Sequence, residues 1–199
     1  MSIKTKHDTC NQTWFVTFIC FKWLPLFHII GAYDLVYNWL QLIKDKGQAE
    51  TLGFVIMPNH VHVILQLSSV SVNLNLMISN AKRFMAYELI KRLEEKDEQS
   101  LLYLLSQGCS IKEIAKGQKH KVSEPSFDAK PVYTQQFFLQ KLNYIHHNPV
   151  KGKWNLSPDY LEYKHSSAAF YKTGVNHPLI GVKDFRDLNR QGPLRETLP

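Results

Sequence analysis

Leu52–Met57 and His60–Leu67 are two apolar runs separated only by Pro58-Asn59, and this pairing constrains the fold more than any other feature of the chain. A two-residue connection built on Pro and Asn reverses the chain tightly, so the runs are expected to pair as an antiparallel hairpin. Their apolar character on successive residues, rather than on alternate ones, places the hairpin near the centre of the sheet. A further strand is predicted at Trp14–Phe21, where aromatic and β-branched residues dominate until Pro25.

Helical spacing appears between and after these strands. Asp34–Lys46 carries Leu35, Trp39, Leu42 and Ile43 on one side and is closed by Gly47. Asn73 is positioned to cap a long helix bearing Leu74, Met77, Ile78, Ala81, Phe84, Met85 and Leu89, which runs out in the charged stretch Glu94–Glu98. Leu101–Leu105 reads as a short apolar helix, and Gly117–Pro131 as a basic, turn-rich passage. Thr134–Asn148 is the last clear helix, stopped by Pro149. The order is strand, helix, hairpin, helix, insertion, helix. It predicts an α+β fold, an antiparallel sheet with helices packed on one face, related to the ferredoxin-like plan. Residues 1–175 are read as one domain with an inserted helical and basic segment at about 100–131, and 176–199 as an irregular tail; everything after Trp154, polar and aromatic without clear period, is expected to be irregular and wrapped on the body.

The 199 residues suffice for one domain with a real core, and 24 Lys+Arg against 17 Asp+Glu leave a net charge of +7, which favours a polyanionic partner. Three cysteines, Cys10, Cys20 and Cys109, are odd in number and lack metal-ligand spacing, so they read as reduced thiols and the protein as cytoplasmic. The apolar stretch Trp14–Ile30 is broken by Lys22 and Pro25 and is too short for a membrane span, so no membrane partner is expected.

Residues i and i+2 of a strand share a face, so His60 and His62 project together while Val61 and Val63 turn away. Two neighbouring neutral imidazoles can share one cation. On Thr134–Asn148, the residues Phe137, Lys141, Tyr144 and Asn148 form one stripe, and Phe138, Leu142 and Ile145 form an adjacent stripe suited to packing on the sheet. The Asn148 carbonyl is a candidate third, oxygen ligand beside the histidines. A tyrosine titrates near pH 10, roughly, so nucleophilic attack by Tyr144 needs a metal-polarised phosphate or a nearby lysine. His146 and His147, next to Pro149, are expected to face solvent, DNA or the sheet edge.

Met57-Pro58-Asn59-His60-Val61-His62 followed by Tyr144-Ile145-His146-His147-Asn148-Pro149-Val150 resembles the single-tyrosine HUH transposases, and within them the REP-associated tyrosine transposases. The resemblance spans Trp14 to about Phe170 and includes Pro25-Leu26-Phe27 and Ser166-Ser167. It implies a metal-dependent nuclease and strand transferase that cleaves and rejoins single-stranded, hairpin-forming DNA. It further implies that His60 and His62 are metal ligands for Mg²⁺ or Mn²⁺, that Asn148 completes the metal site, and that Tyr144 forms a 5′-phosphotyrosine. Enzymes of this kind act as monomers or homodimers, and a monomer or weak dimer is expected here. The chain departs from the pattern at Val122–Phe127, which replaces a Trp/Arg-rich strand segment, and at the inserted Ser100–Lys121. Ser110–Ala115 looks like the first helix of a helix-turn-helix, but no recognition helix follows it.

Candidate phosphate contacts are Lys82 and Arg83 on the long helix, Lys141 on the tyrosine helix, and Lys151 and Lys153 just beyond it, with Lys112, Lys116, Lys119 and Lys121 in the insertion. Two other functions fit the same residues. A hydrolytic metal phosphoesterase would use His60 and His62 to activate water and would form no protein adduct. A non-catalytic single-stranded nucleic-acid-binding module would need no metal, but the chain lacks the RNP-type aromatic strands such modules usually carry.

Overall fold

The computed structural model describes residues 12–152 and 154–188. Strands β1 (Thr13–Ile19), β2 (Ala49–Met57), β3 (His60–Leu67) and β4 (Asp128–Pro131) form one antiparallel sheet in the order β2-β3-β1-β4. The helices are α1 (Leu26–Ile29), α2 (Asp34–Asp45), α3 (Leu74–Glu95), α4 (Gln99–Gln107), α5 (Ile111–Ile114), α6 (Gln135–His147) and α7 (Ala168–Thr173). The α+β class holds. The hairpin closes at Pro58-Asn59, with Met57 opposite His60.

Alternation along the strands divides the core in two. Trp14, Val16 and Phe18 of β1, with Val61, Val63 and Leu65 of β3, pack against α2 and α3 through Val36, Leu40, Ile78, Ala81 and Met85. Phe15, Leu52, Val55, Met57 and Ile64 point the other way and pack against Phe138, Leu142 and Ile145 of α6. The helices therefore cover both faces, which corrects the expectation of a single covered face. The physical reason lies in the hairpin, whose strands are apolar on both sides and need two layers to bury them. Gly53, at a register shift between β2 and β3, lets α6 come close: a Cβ there would lie 2.8 Å from Leu142 Cδ1.

Asn73 caps α3 by accepting from Leu76 N at 2.9 Å, as its position predicts. The basic segment is less separate than expected. Leu102, Leu105 and Val122 enter the α2–α3 core, and Asp128–Pro131 joins the sheet edge, pairing Lys130 with Phe15. A proline closing a short edge strand removes no needed ladder bond. Beyond α6, Ile56 N donates to the His165 carbonyl and Ser167 N to the Phe54 carbonyl, so 165–167 line the outer edge of β2. Residues 176–188 are likewise packed, with Ile180, Val182 and Phe185 buried. No helix among the described residues is long and apolar enough to cross a membrane. Cys20 is buried and free and Cys109 is partly buried and free; Cys10 lies outside the described residues.

Candidate active site

The site begins with the position of β3 inside the sheet. His62 sits between Thr17 of β1 and Val55 of β2, and His60 between Ile19 and Met57. Both imidazoles are only 5% exposed and face α6, with ring centroids 4.7 Å apart. Burial pushes their pKa values down, to about 4 for His60 and about 3 for His62, where the His60 and Lys141 charges add to the effect. Both rings are thus neutral at physiological pH, the state in which imidazole ligates a metal.

Each ring is oriented through Nδ1. His60 Nδ1 lies 2.6 Å from Asn59 Oδ1, and His62 Nδ1 lies 2.7 Å from Thr17 Oγ1. The Asn59 amide also donates from Nδ2 to the Trp23 carbonyl at 3.0 Å. A carbonyl only accepts, so Nδ2 must face Trp23 and Oδ1 must face His60. His60 Nδ1 is therefore the protonated nitrogen, and Nε2 carries the lone pair. Buried His62 Nε2 has no hydrogen-bond partner among the described residues. A buried polar atom without a partner is uncommon in a folded protein. The donor set fits a divalent cation: neutral imidazoles, oriented from behind by side-chain oxygens, with ligating nitrogens free. No group of three or more His, Cys, Asp or Glu side chains suited to a metal is found among the described residues.

Helix α6 starts at Thr134, whose side chain accepts from Phe137 N at 3.1 Å. Its apolar stripe is buried as predicted, and its other stripe meets the histidines. The Tyr144 ring lies 5.2 Å from the His62 ring, centroid to centroid, while the tyrosine remains 49% exposed. Lys141 Nζ lies 5.0 Å from the centroid of Phe15, 5.1 Å from Phe137 and 5.8 Å from Tyr144. Phe15 in turn stacks on His62 at 5.5 Å. His60, His62, Lys141 and Tyr144 are thus one cluster. Asn148 keeps helical φ and ψ at the end of α6, one turn beyond Tyr144, and opens the short turn Asn148–Val150.

The remaining candidates are dispersed. Lys82 and Arg83 lie on α3, which packs on the opposite face of the sheet. Lys82 Nζ donates to the carbonyls of Glu124, Pro125 and Ser126 at 2.5, 3.1 and 3.2 Å, and burial lowers its pKa to about 8. Its ammonium braces the loop before β4. Arg83 is exposed. Lys151 is exposed just after the Asn148–Val150 turn, and Lys153 lies outside the described residues.

His146 lies at the sheet edge, one of the placements expected for it, and is buried there: its Nε2 lies 2.8 Å from Ser167 Oγ, which accepts from Phe54 N. This network ties α6 to the edge of β2, an effect of the 165–167 segment that helix periodicity alone does not reveal. His147 stacks on Tyr160. Sequence reading also missed Thr17 and Asn59. Thr17 was detectable as a polar residue on an inward-facing position of β1, once β1 is paired with β3. Asn59 had only its place beside His60 to signal it.

No protein-family model matches the chain, and no curated protein matches it. Among solved structures, a REP-associated tyrosine transposase bound to a REP hairpin is similar over 92% of this chain and 93% of its own, at 18% identity and a TM-score of 0.61. That likeness shows a shared fold. A Deinococcus radiodurans protein presumed to be a transposase aligns over 74% of this chain and 97% of its own, at 14% identity and a TM-score of 0.43, too slight to bear on function.

Proposed function

We propose that this chain is a tyrosine transposase of the HUH type, which cleaves and rejoins single-stranded, hairpin-forming DNA through a 5′-phosphotyrosine. The observation that carries the reading is the contact of a half-exposed Tyr144 with His62, whose buried Nε2 has no partner. A fold shared with a transposase that binds a DNA hairpin supports it. His60 and His62 would hold Mg²⁺ or Mn²⁺ through Nε2, with the Asn148 amide oxygen as third protein ligand. Such an ion, when bound, polarises the scissile phosphate and offsets charge building on it.

The chain's own groups do the rest. Tyr144 Oη attacks phosphorus and forms a new P–O bond. The bond from phosphorus to the 3′ oxygen breaks, the phenolic proton passes to solvent, and the departing oxygen gains a proton to become a 3′-OH. Lys141 presents a positive charge beside the tyrosine ring, attracting the phosphate and offsetting charge that builds up during attack. Because the phosphotyrosine keeps the ester bond, a later 3′-OH reverses the step without an external energy source. Arg83, Lys151 and Lys153 are proposed as phosphate contacts; Lys82 is not, since its ammonium is committed to the loop carbonyls.

The test is covalent capture. Incubated with single-stranded hairpin DNA and Mn²⁺, the protein is expected to yield an adduct that survives denaturing electrophoresis. Tyr144→Phe should abolish it while DNA binding persists. Strand cleavage by Tyr144→Phe at the wild-type rate would overturn the proposal in favour of a hydrolytic phosphoesterase.

A further inference from the structure

Trp23 stands beside the histidine pair on the side away from Tyr144. Its ring centroid lies 5.5 Å from that of His60, inclined at 72°, while Tyr144 contacts His62. Unlike Trp14 and Trp39, which are buried, Trp23 is 53% exposed. Burial therefore does not account for an indole at this position.

The backbone makes the same point. Lys22 and Trp23 both adopt positive φ, 50° and 58°, a conformation that glycine takes freely and side-chain-bearing residues rarely do. Two such residues in succession persist only because the surroundings fix them. Lys22 N donates to Glu124 Oε1 at 2.8 Å, Trp23 N to the Cys20 carbonyl at 3.0 Å, and Leu24 N to the Phe21 carbonyl at 3.0 Å. The Trp23 carbonyl accepts from Asn59 Nδ2, the same amide that orients His60. Strain of this kind collects where a side chain must be presented in one direction. Here one amide holds both the His60 ring and the Trp23 backbone carbonyl.

We propose that Trp23 forms a nucleobase-stacking subsite, in which the base of a nucleotide adjoining the scissile phosphate lies against the indole. This rests on the strand-cleaving reading of Tyr144 and deepens it, by assigning a residue that positions the strand. A large exposed π-face suits an unpaired base of any identity, and a paired base inside a duplex has no free face to offer. The subsite therefore selects single strands over duplexes without reading sequence. The histidine pair lies between the indole and the tyrosine, so a strand stacked on Trp23 runs its phosphate past the ligating nitrogens towards Tyr144.

The experiment compares two probes of equal length, oligodeoxyadenylate and an abasic deoxyribose-phosphate chain, with binding measured in EDTA. Wild type should bind the base-bearing strand more tightly. Trp23→Ala should lose roughly 5- to 150-fold on that strand, the effect of one base–aromatic stack, and little on the abasic chain. Trp23→Phe should recover most of the loss. Oligodeoxyadenylate should also quench indole emission in wild type, and the quenching should vanish in Trp23→Phe, a readout that stands if the alanine variant fails to fold. Equal weakening on both probes, or quenching unchanged in Trp23→Phe, would sink the proposal. Neither metal nor adduct enters the measurement, so it can fail while covalent capture succeeds, and the reverse.

Discussion

Replacing Asn59 separates the two tasks of one buried amide. Asn59 is 1% exposed, accepts from His60 Nδ1 at 2.6 Å and donates to the Trp23 carbonyl at 3.0 Å. Asn59→Ala strands both partner atoms. An unsatisfied buried polar group costs about 1–3 kcal/mol, and the Trp23 carbonyl, beside an exposed residue, recovers part of its loss from water, so about 2–3 kcal/mol in total is expected. For a domain of this size that corresponds to a Tm lower by roughly 4–12 °C. It also frees the His60 ring to rotate and to change tautomer, and losing such an orienting partner typically weakens metal binding by about 10–100-fold. Asn59→Asp keeps an oxygen for His60 Nδ1 but turns an acceptor towards the Trp23 carbonyl. It should therefore melt low yet bind metal close to wild type. Calorimetric titration with Mn²⁺ in the absence of DNA, alongside melting curves in EDTA, reads both effects. An Asn59→Ala protein that melts low and binds Mn²⁺ with wild-type affinity would refute the argument that His60 ligates through an Nε2 set by this bond.

Acid should destabilise the metal-free protein. His60, His62 and His146 are buried neutral, with folded pKa values pushed to about 4, about 3 and about 4. The unfolded chain takes up protons on these residues below about pH 6.5 while the folded one does not, so each costs about 1.4 kcal/mol per pH unit as pH falls from about 6.5 towards about 4. Melting curves at stepped pH should show that slope, and a flat profile across the window would contradict the burial argument. Lys82→Met should lower Tm, by about 1–3 kcal/mol in stability, because three loop carbonyls lose their donor, but should leave the salt dependence of DNA binding unaltered. Gly53→Ala puts a Cβ 2.8 Å from Leu142 Cδ1, the far end of a side chain that can turn aside. A loss of about 1 kcal/mol is expected from melting curves, with adduct yield close to wild type. A larger loss together with a fall in yield would contradict this and mean that α6 itself is displaced.

Strand and helix periods were readable because they are local. The hairpin around Pro58-Asn59, the Asn73 cap, the shared face of His60 and His62, and the two stripes of α6 all follow from spacing within one element. The same spacing placed Lys141 with Tyr144, which share a ring contact. Pairing between distant segments was not readable. That β1 lies beside β3 is what carries Thr17 to His62 across 45 residues, and the return of 165–167 to β2 is what turns His146 inward. Asp128–Pro131 has the composition of a turn and becomes a strand only because β1 offers it an open edge.

By itself the sequence determined the three longer strands, the helices α2, α3, α4 and α6, the apolar hairpin, and the presentation of two imidazoles on one side and a tyrosine stripe on another, since each is fixed by the repeat of its own backbone. Tertiary structure alone decided which sheet face α6 covers, which nitrogen of His60 keeps its lone pair, that Lys82 braces a loop, and that Trp23 stands beside His60. Those outcomes depend on hydrogen-bond partners and packing surfaces far apart in the chain, and no local pattern encodes which of them will meet.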